Sequence, residues 1–123
     1  MRTRRYAAIL SIGLLAAGCA SADPDRATPT AADAAPVVVD VRIAGGLVTP
    51  VDERREARVG QPVELVVDSD AADELHVHAT PEHSFPVAVG AGQRFRFAVE
   101  VPGRVEVELH HADRTVVTLL VRA

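Results

Sequence analysis

The chain has 123 residues, 48% of them hydrophobic and 24% charged, with a formal charge of −4, which is enough for one ordinary domain and too little for two. All 13 basic residues are Arg, aromatics stand at 3% and Trp is absent, so the basic footprint and stacking platforms of a nucleic-acid binder are missing. The single Cys excludes an internal disulfide framework and every Cys-cluster metal site.

Arg2, Arg4 and Arg5 precede an apolar run from Tyr6, and Ala16-Ala17-Gly18-Cys19 follows it, the pattern of a secretory signal peptide over residues 1–18. The run to Ala17 is 12 residues, well short of the roughly 20 that cross a bilayer as a helix. Cys19 stands directly after the small residues, and Leu15-Ala16-Ala17-Gly18-Cys19 resembles a bacterial lipobox, although the branched aliphatic sits one place early. The resemblance implies lipidation of Cys19 and an N-terminal lipid anchor in the cell membrane, with the rest of the chain on the extracytoplasmic face. The other reading of the same residues is a plain secreted protein with an incidental thiol.

Residues 19–36 continue as Ala, Asp, Thr and Pro without apolar periodicity, which reads as a disordered tether. Fully extended, its seventeen residues from Ala20 reach on the order of 50 Å. The remaining 87 residues, 37–123, form the expected domain, and their charge of −5 disfavours an electrostatic hold on anionic lipid or DNA.

From Val37 onward β-branched residues alternate with polar ones, interrupted every 8 to 12 residues by Gly, Pro or Asp. This predicts an all-β sandwich, with strands near 37–43, 46–51, 55–59, 62–67, 74–79, 85–89, 93–100, 104–110 and 115–122. Phe95, Phe97 and Val99 share one strand face, as do Val105, Val107 and Leu109 on the next, while Arg94, Arg96, Glu106, Glu108 and His110 point the other way. Val101-Pro102-Gly103 separates these two strands, and either a hairpin or an interchange between sheets satisfies the parity.

All five histidines fall between His76 and His111, four of them in two close pairs. Strand periodicity puts His76 and His78 on one face and Leu75, Val77 and Ala79 on the buried one. Two imidazoles so spaced can ligate one ion, and His110 or His111, at the end of a later strand, is the candidate third ligand. His83, in the Thr80-Pro81-Glu82-His83-Ser84 loop, is spare. Imidazole suits Cu(II), Zn(II) and Ni(II). The bland alternative is that the histidines are the solvent phase of alternating strands.

Other constellations carry less. Asp52-Glu53-Arg54-Arg55-Glu56 reads as a solvated turn. Asp68, Asp70, Asp73 and Glu74 lack the Gly of a sharp calcium-loop turn. Ser69 and Ser84 have no nucleophile context, and Glu106 and Glu108 make a poor acid/base pair with Arg nearby, so no enzyme is expected.

Three stretches are similar to the cupredoxins, and to small cupredoxin-like bacterial lipoproteins in particular: Arg58-Val59-Gly60-Gln61-Pro62-Val63-Glu64-Leu65-Val66-Val67, Asp73-Glu74-Leu75-His76-Val77-His78, and Pro102-Gly103-Arg104-Val105-Glu106-Val107-Glu108-Leu109. The resemblance covers residues 37–123 and implies a Greek-key β-sandwich of seven to eight strands, in which the strands flanking Pro102-Gly103 belong to different sheets. His76 is the best match to the family's first His ligand, and His110 or His111 falls near the later one. Leu109 stands where the family's copper-binding Cys would be, and the one Met is Met1. A blue-copper electron carrier is therefore not expected.

Two readings follow. One is a lipid-anchored, non-enzymatic domain that binds Cu(II), or Zn(II), through His76, His78 and His110 or His111, with affinity falling as pH drops through about 6.5 because imidazole ligates in its neutral form. The other is a metal-free sandwich, without cofactor, serving as a binding or assembly module in the cell envelope. The expected partners are an envelope protein or a metal-uptake system, and no nucleic acid.

Overall fold

Alternating β-branched and polar residues give nine strands in the computed structural model, which describes residues 28–123. They are β1 (Val37–Ala44), β2 (Leu47–Thr49), β3 (Glu53–Arg58), β4 (Pro62–Ser69), β5 (Asp73–Val77), β6 (His83–Val87), β7 (Gly90–Ala98), β8 (Gly103–Leu109) and β9 (Arg114–Arg122). The expected signal peptide, Cys19 and the tether up to residue 27 lie outside the described residues. No helix among the described residues is long and apolar enough to cross a membrane.

The strands form two sheets, ordered β2-β1-β4-β7 and β3-β9-β8-β5-β6. β1 runs parallel to β4 and β3 parallel to β9, while the remaining neighbours are antiparallel. The chain crosses from one sheet to the other at residues 99–102, so the two strands flanking Pro102-Gly103 are an interchange and not a hairpin. The nine strands correspond to the nine segments read from the alternation, where the cupredoxin resemblance implied seven to eight. Gly45 and Gly46, at φ 59° and 77°, make the two-residue turn into the three-residue β2, a backbone conformation that costs a side-chain-bearing residue free energy.

The core is aliphatic and lies between the sheets. Val39, Val41, Ile43, Val63, Leu65, Val67 and Phe97 face it from the first sheet. Leu75, Val77, Val105, Val107, Leu109, Val117, Leu119 and Val121 face it from the second. All three Phe lie in one seam between β6 and β7, with ring centroids 5.4 Å apart for Phe85–Phe95 and 6.3 Å for Phe85–Phe97.

The run Asp52-Glu53-Arg54-Arg55-Glu56 corrects one expectation. Only Asp52, at φ 54°, is in the turn, and residues 53–58 form β3, whose outer edge is unpaired. Exposed Arg54, Arg55, Glu56 and Arg58 on that edge discourage pairing with another chain. Ahead of β1, within the segment read as disordered, Ala31–Asp33 form a single 3-10 turn. Asp33 accepts the Thr30 backbone N–H and hydroxyl, and the Gln61 side-chain amide donates to the Ala35 carbonyl at 2.8 Å.

Candidate metal centre on the outer face of the second sheet

β5 alternates strictly: Leu75 and Val77 are fully buried, and His76 lies on the opposite, outer face with His78 just beyond the strand end. β6 returns antiparallel with Val77 opposite His83 and His76 opposite Ser84. The same register carries Glu82 to a place opposite His78, on the histidines' side of the hairpin. His76 Nε2 lies 2.7 Å from Glu82 Oε1, His78 Nδ1 lies 4.0 Å from the same oxygen, and the two imidazole centroids are 4.5 Å apart. One ligand atom from each of His76, His78 and Glu82 lies within 4.8 Å of the others, the one such His/Cys/Asp/Glu trio among the described residues.

β8 backs this group. His76 pairs with Glu108, whose Oε2 is 2.8 Å from His78 Nε2. Thr115 on β9 approaches the other oxygen of Glu108 with its hydroxyl, at 3.4 Å. Glu106, two residues earlier on the same face, is engaged by Arg104 at 2.9 Å. The four side chains His76, His78, Glu82 and Glu108 are half-exposed to exposed, so an ion reaches them from solvent without movement of the core.

The other histidines lie elsewhere. The His110 backbone N–H donates to the Glu74 carbonyl at 2.9 Å, which places His110 beside Glu74 on the same sheet, outside the trio. His111 is in the β8–β9 turn, where Asp73, nearly buried, accepts the backbone N–H of His111 at 2.8 Å and of Ala112 at 3.1 Å. Neither His110 nor His111 joins His76 and His78. His83 points inward, its ring 5.7 Å from that of Phe97, and its Nε2 is buried without a hydrogen-bond partner. Leu109 is fully buried and faces inward, whereas its near neighbour His76 faces outward, so positions 109 and 76 serve opposite sides of the sheet.

The acidic residues ahead of β5 serve the loops. Asp68 accepts the Gly92 N–H at 2.7 Å and Asp70 accepts the Gly45 N–H at 2.7 Å, leaving no concerted cation loop. On the outer face of the first sheet, Glu64 is covered by Arg94 and Arg96, both of which donate to its carboxylate. The Arg96 hydrogen bond holds the Glu64 carboxyl below its ordinary value of 4.5, against the opposing effect of burial and with further help from Arg94. A hollow of about 540 Å³ beside β1 and β4, lined by Asp40, Arg42, Glu53 and Asp68 among others, contains none of the histidines.

No protein-family model matches the chain, and neither does any curated protein. Solved structures do. Auracyanin from Roseiflexus castenholzii, reduced with dithionite, superimposes with a TM-score of 0.51 at 6% identity, covering 71% of this chain and 98% of that one. The metal-binding domain of the Cu(I)-exporting P-type ATPase CopA of Streptococcus pneumoniae, in its Cu(I) form, gives 0.50 at 15% identity, covering 72% and 87%. The fold is cupredoxin-like. Within that cupredoxin-like sandwich the histidine group sits on the outside of a sheet.

Sequence reading missed Glu82 and Glu108. Glu82 was legible in principle, since a short antiparallel connection after Val77 puts residue 82 across from His78. Glu108 needed the pairing of β5 with β8, a contact across 30 residues that local pattern does not encode.

Proposed function

We propose that this chain is a lipid-anchored, extracytoplasmic, cupredoxin-like domain that binds one divalent ion, Cu(II) or Zn(II), through His76, His78 and Glu82. In this reading it is neither an enzyme nor a blue-copper electron carrier. The observation that carries the reading is the gathering of two imidazoles and one carboxylate, with one ligand atom of each within 4.8 Å of the others. Two nitrogens and an oxygen suit Cu(II) and Zn(II), whereas Cu(I) favours thiolate and thioether sulfur. The one Cys and the one Met are Cys19 and Met1, both ahead of the sandwich. Three protein ligands leave coordination positions open to water or to a partner's donor, which fits an ion that is passed on to an envelope or metal-uptake protein. The CopA domain, whose fold is similar, is a metal-binding domain of a copper exporter.

The test is titration of the full chain with Cu(II) and with Zn(II), followed by calorimetry and, for Cu(II), by EPR, beside a His76→Ala/His78→Ala variant. Stoichiometric binding with nitrogen hyperfine structure, abolished in the variant, is the expected result. Binding no tighter than that of the variant overturns it in favour of the second reading, a metal-free binding or assembly module. One observation favours that second reading: His76 and His78 already have carboxylate partners without an ion.

A further inference from the structure

The two ring nitrogens of His78 keep different company. Nε2 meets Glu108 Oε2 at 2.8 Å, while Nδ1 is directed toward Glu82 Oε1 at 4.0 Å. His76 presents Nε2 to that same Glu82 oxygen at 2.7 Å. The trio is therefore organised around His76 Nε2, His78 Nδ1 and Glu82 Oε1, and Glu108 lies on the far side of one imidazole.

An ionised carboxylate only accepts hydrogen bonds, so the His78 nitrogen facing Glu108 is the protonated one in the neutral ring, and the free lone pair belongs to Nδ1. The same rule puts a proton on His76 Nε2, which faces Glu82 at 2.7 Å in the ion-free chain, so an ion bound between Nε2 and Glu82 takes the place of that proton and leaves His76 as the Nδ1–H tautomer. Glu108 is itself constrained. Its backbone is paired on both sides, with His76 across β5 and Thr115 across β9, and the Thr115 hydroxyl donates to its second oxygen. The neighbouring Glu106 is occupied by Arg104 and does not compete for the imidazole. Two carboxylates near one pair of histidines thus have separate places, Glu82 between the rings and Glu108 behind one of them.

We infer that Glu108 is a positioning residue for the metal centre: it fixes His78 as the Nε2–H tautomer, so that the ion binds Nδ1 of His78 and Nε2 of His76 together with Glu82. This rests on the metal-binding reading above. A ligating imidazole that donates its other N–H to a carboxylate is oriented by it and made more basic, and loss of such a partner typically weakens metal binding about 10–100-fold. The mixed Nδ1/Nε2 set is read from the distances of the two rings to the Glu82 oxygen, 2.7 Å from His76 Nε2 and 4.0 Å from His78 Nδ1. Here one ring reaches the common point with its distal nitrogen and the other with its proximal one.

The test uses the full chain, 15N-labelled at histidine and loaded with Zn(II), with two-bond 15N–1H correlation spectra to identify the metallated nitrogen of each ring. The expected spectrum shows His78 metallated at Nδ1 and protonated at Nε2, and His76 metallated at Nε2. Zn(II) affinity of Glu108→Ala should fall about 10–100-fold. Glu108→Gln keeps an acceptor oxygen for the Nε2–H and should retain the tautomer and most of the affinity. Metallation of His78 at Nε2, or equal losses in Glu108→Gln and Glu108→Ala, would overturn the positioning role while leaving the metal site standing. Failure of the unaltered chain to bind Zn(II) would overturn both. The tautomer measurement needs no variant, so a poorly folding Glu108→Ala does not rescue the proposal.

Discussion

Leu75 and Leu109 are direct partners across β5 and β8, and neither exposes any surface to water. The position where the cupredoxin resemblance would put a copper thiolate is therefore packed as hydrocarbon. His76 and Glu108, one residue along on each strand, are on the other side of the sheet.

Leu109→Cys makes this separation measurable. A thiol at position 109 enters the aliphatic core while His76 and His78 stay outside, so added Cu(II) should give no intense thiolate-to-copper absorption and should bind as in the unaltered chain. The stability cost should remain below the roughly 2–5 kcal/mol of a Leu→Ala truncation. Visible absorption and a denaturant melt of the same sample check both statements, and an intense blue band that persists when His83, which points inward, is also changed to Ala would show that His76 or His78 reaches the core side.

His110→Ala and His111→Ala, made together, should leave metal stoichiometry unchanged and affinity within a few fold. Neither residue belongs to the group formed by His76, His78 and Glu82. Glu82→Ala, by contrast, removes a proposed ligand and should cost more than the roughly 10–100-fold lost with a residue that only supports a ligand. Calorimetric titration with Zn(II) of the three proteins side by side decides which carboxylates and imidazoles count.

Glu64 should impart an acid dependence. Its carboxyl is held below 4.5 in the folded chain, chiefly by the Arg96 hydrogen bond, so it contributes stability that is fully present above the unfolded value and is lost as pH falls through the lowered folded value. Glu64→Gln should therefore be less stable than the unaltered chain at neutral pH, with the gap closing below about pH 4.5. Urea melts at a series of pH values read this directly. A gap that widens on acidification would mean that the arginines do not stabilise the charged form.

Asp73→Ala should loosen the turn after β8. The nearly buried carboxylate accepts the backbone N–H groups of His111 and Ala112 as well as that of Glu74. Leaving such groups unpaired costs about 1–3 kcal/mol each when they remain buried. The loss should appear as a lowered melting temperature and faster amide exchange at residues 111 and 112, with metal binding at His76 and His78 retained.

The sandwich was legible because β-branched residues at every second position write the buried face directly into the sequence. Each of the nine strand segments read from that pattern overlaps an observed strand. The interchange at Val101-Pro102-Gly103 was not legible from parity, because a hairpin and a crossing between sheets require the same alternation; the family resemblance favoured the crossing. The placement of Asp52-Glu53-Arg54-Arg55-Glu56 was hidden by its charge, since an edge strand with few inward side chains reads like a turn. At the candidate centre, the shared face of His76 and His78 follows from a period of two. The carboxylates do not, because each reaches the histidines through strand pairing, Glu82 by hairpin register and Glu108 by a partner strand distant in sequence. His110 drew attention for its residue type, yet its backbone pairing with Glu74 sets it apart from the trio.

All three donors of the trio come from the segment His76 to Glu82, a single hairpin whose outward side chains lie on the side of the sheet away from the core. Such a segment is modular: its outward residues can be exchanged, or the donor set rebuilt on another antiparallel hairpin of the same register, while Leu75 and Val77 go on filling the interior. If the proposed ion binds there, folding does not wait on it, and the empty and occupied forms should share one unfolding transition, raised in the occupied form by the free energy of the bound ion.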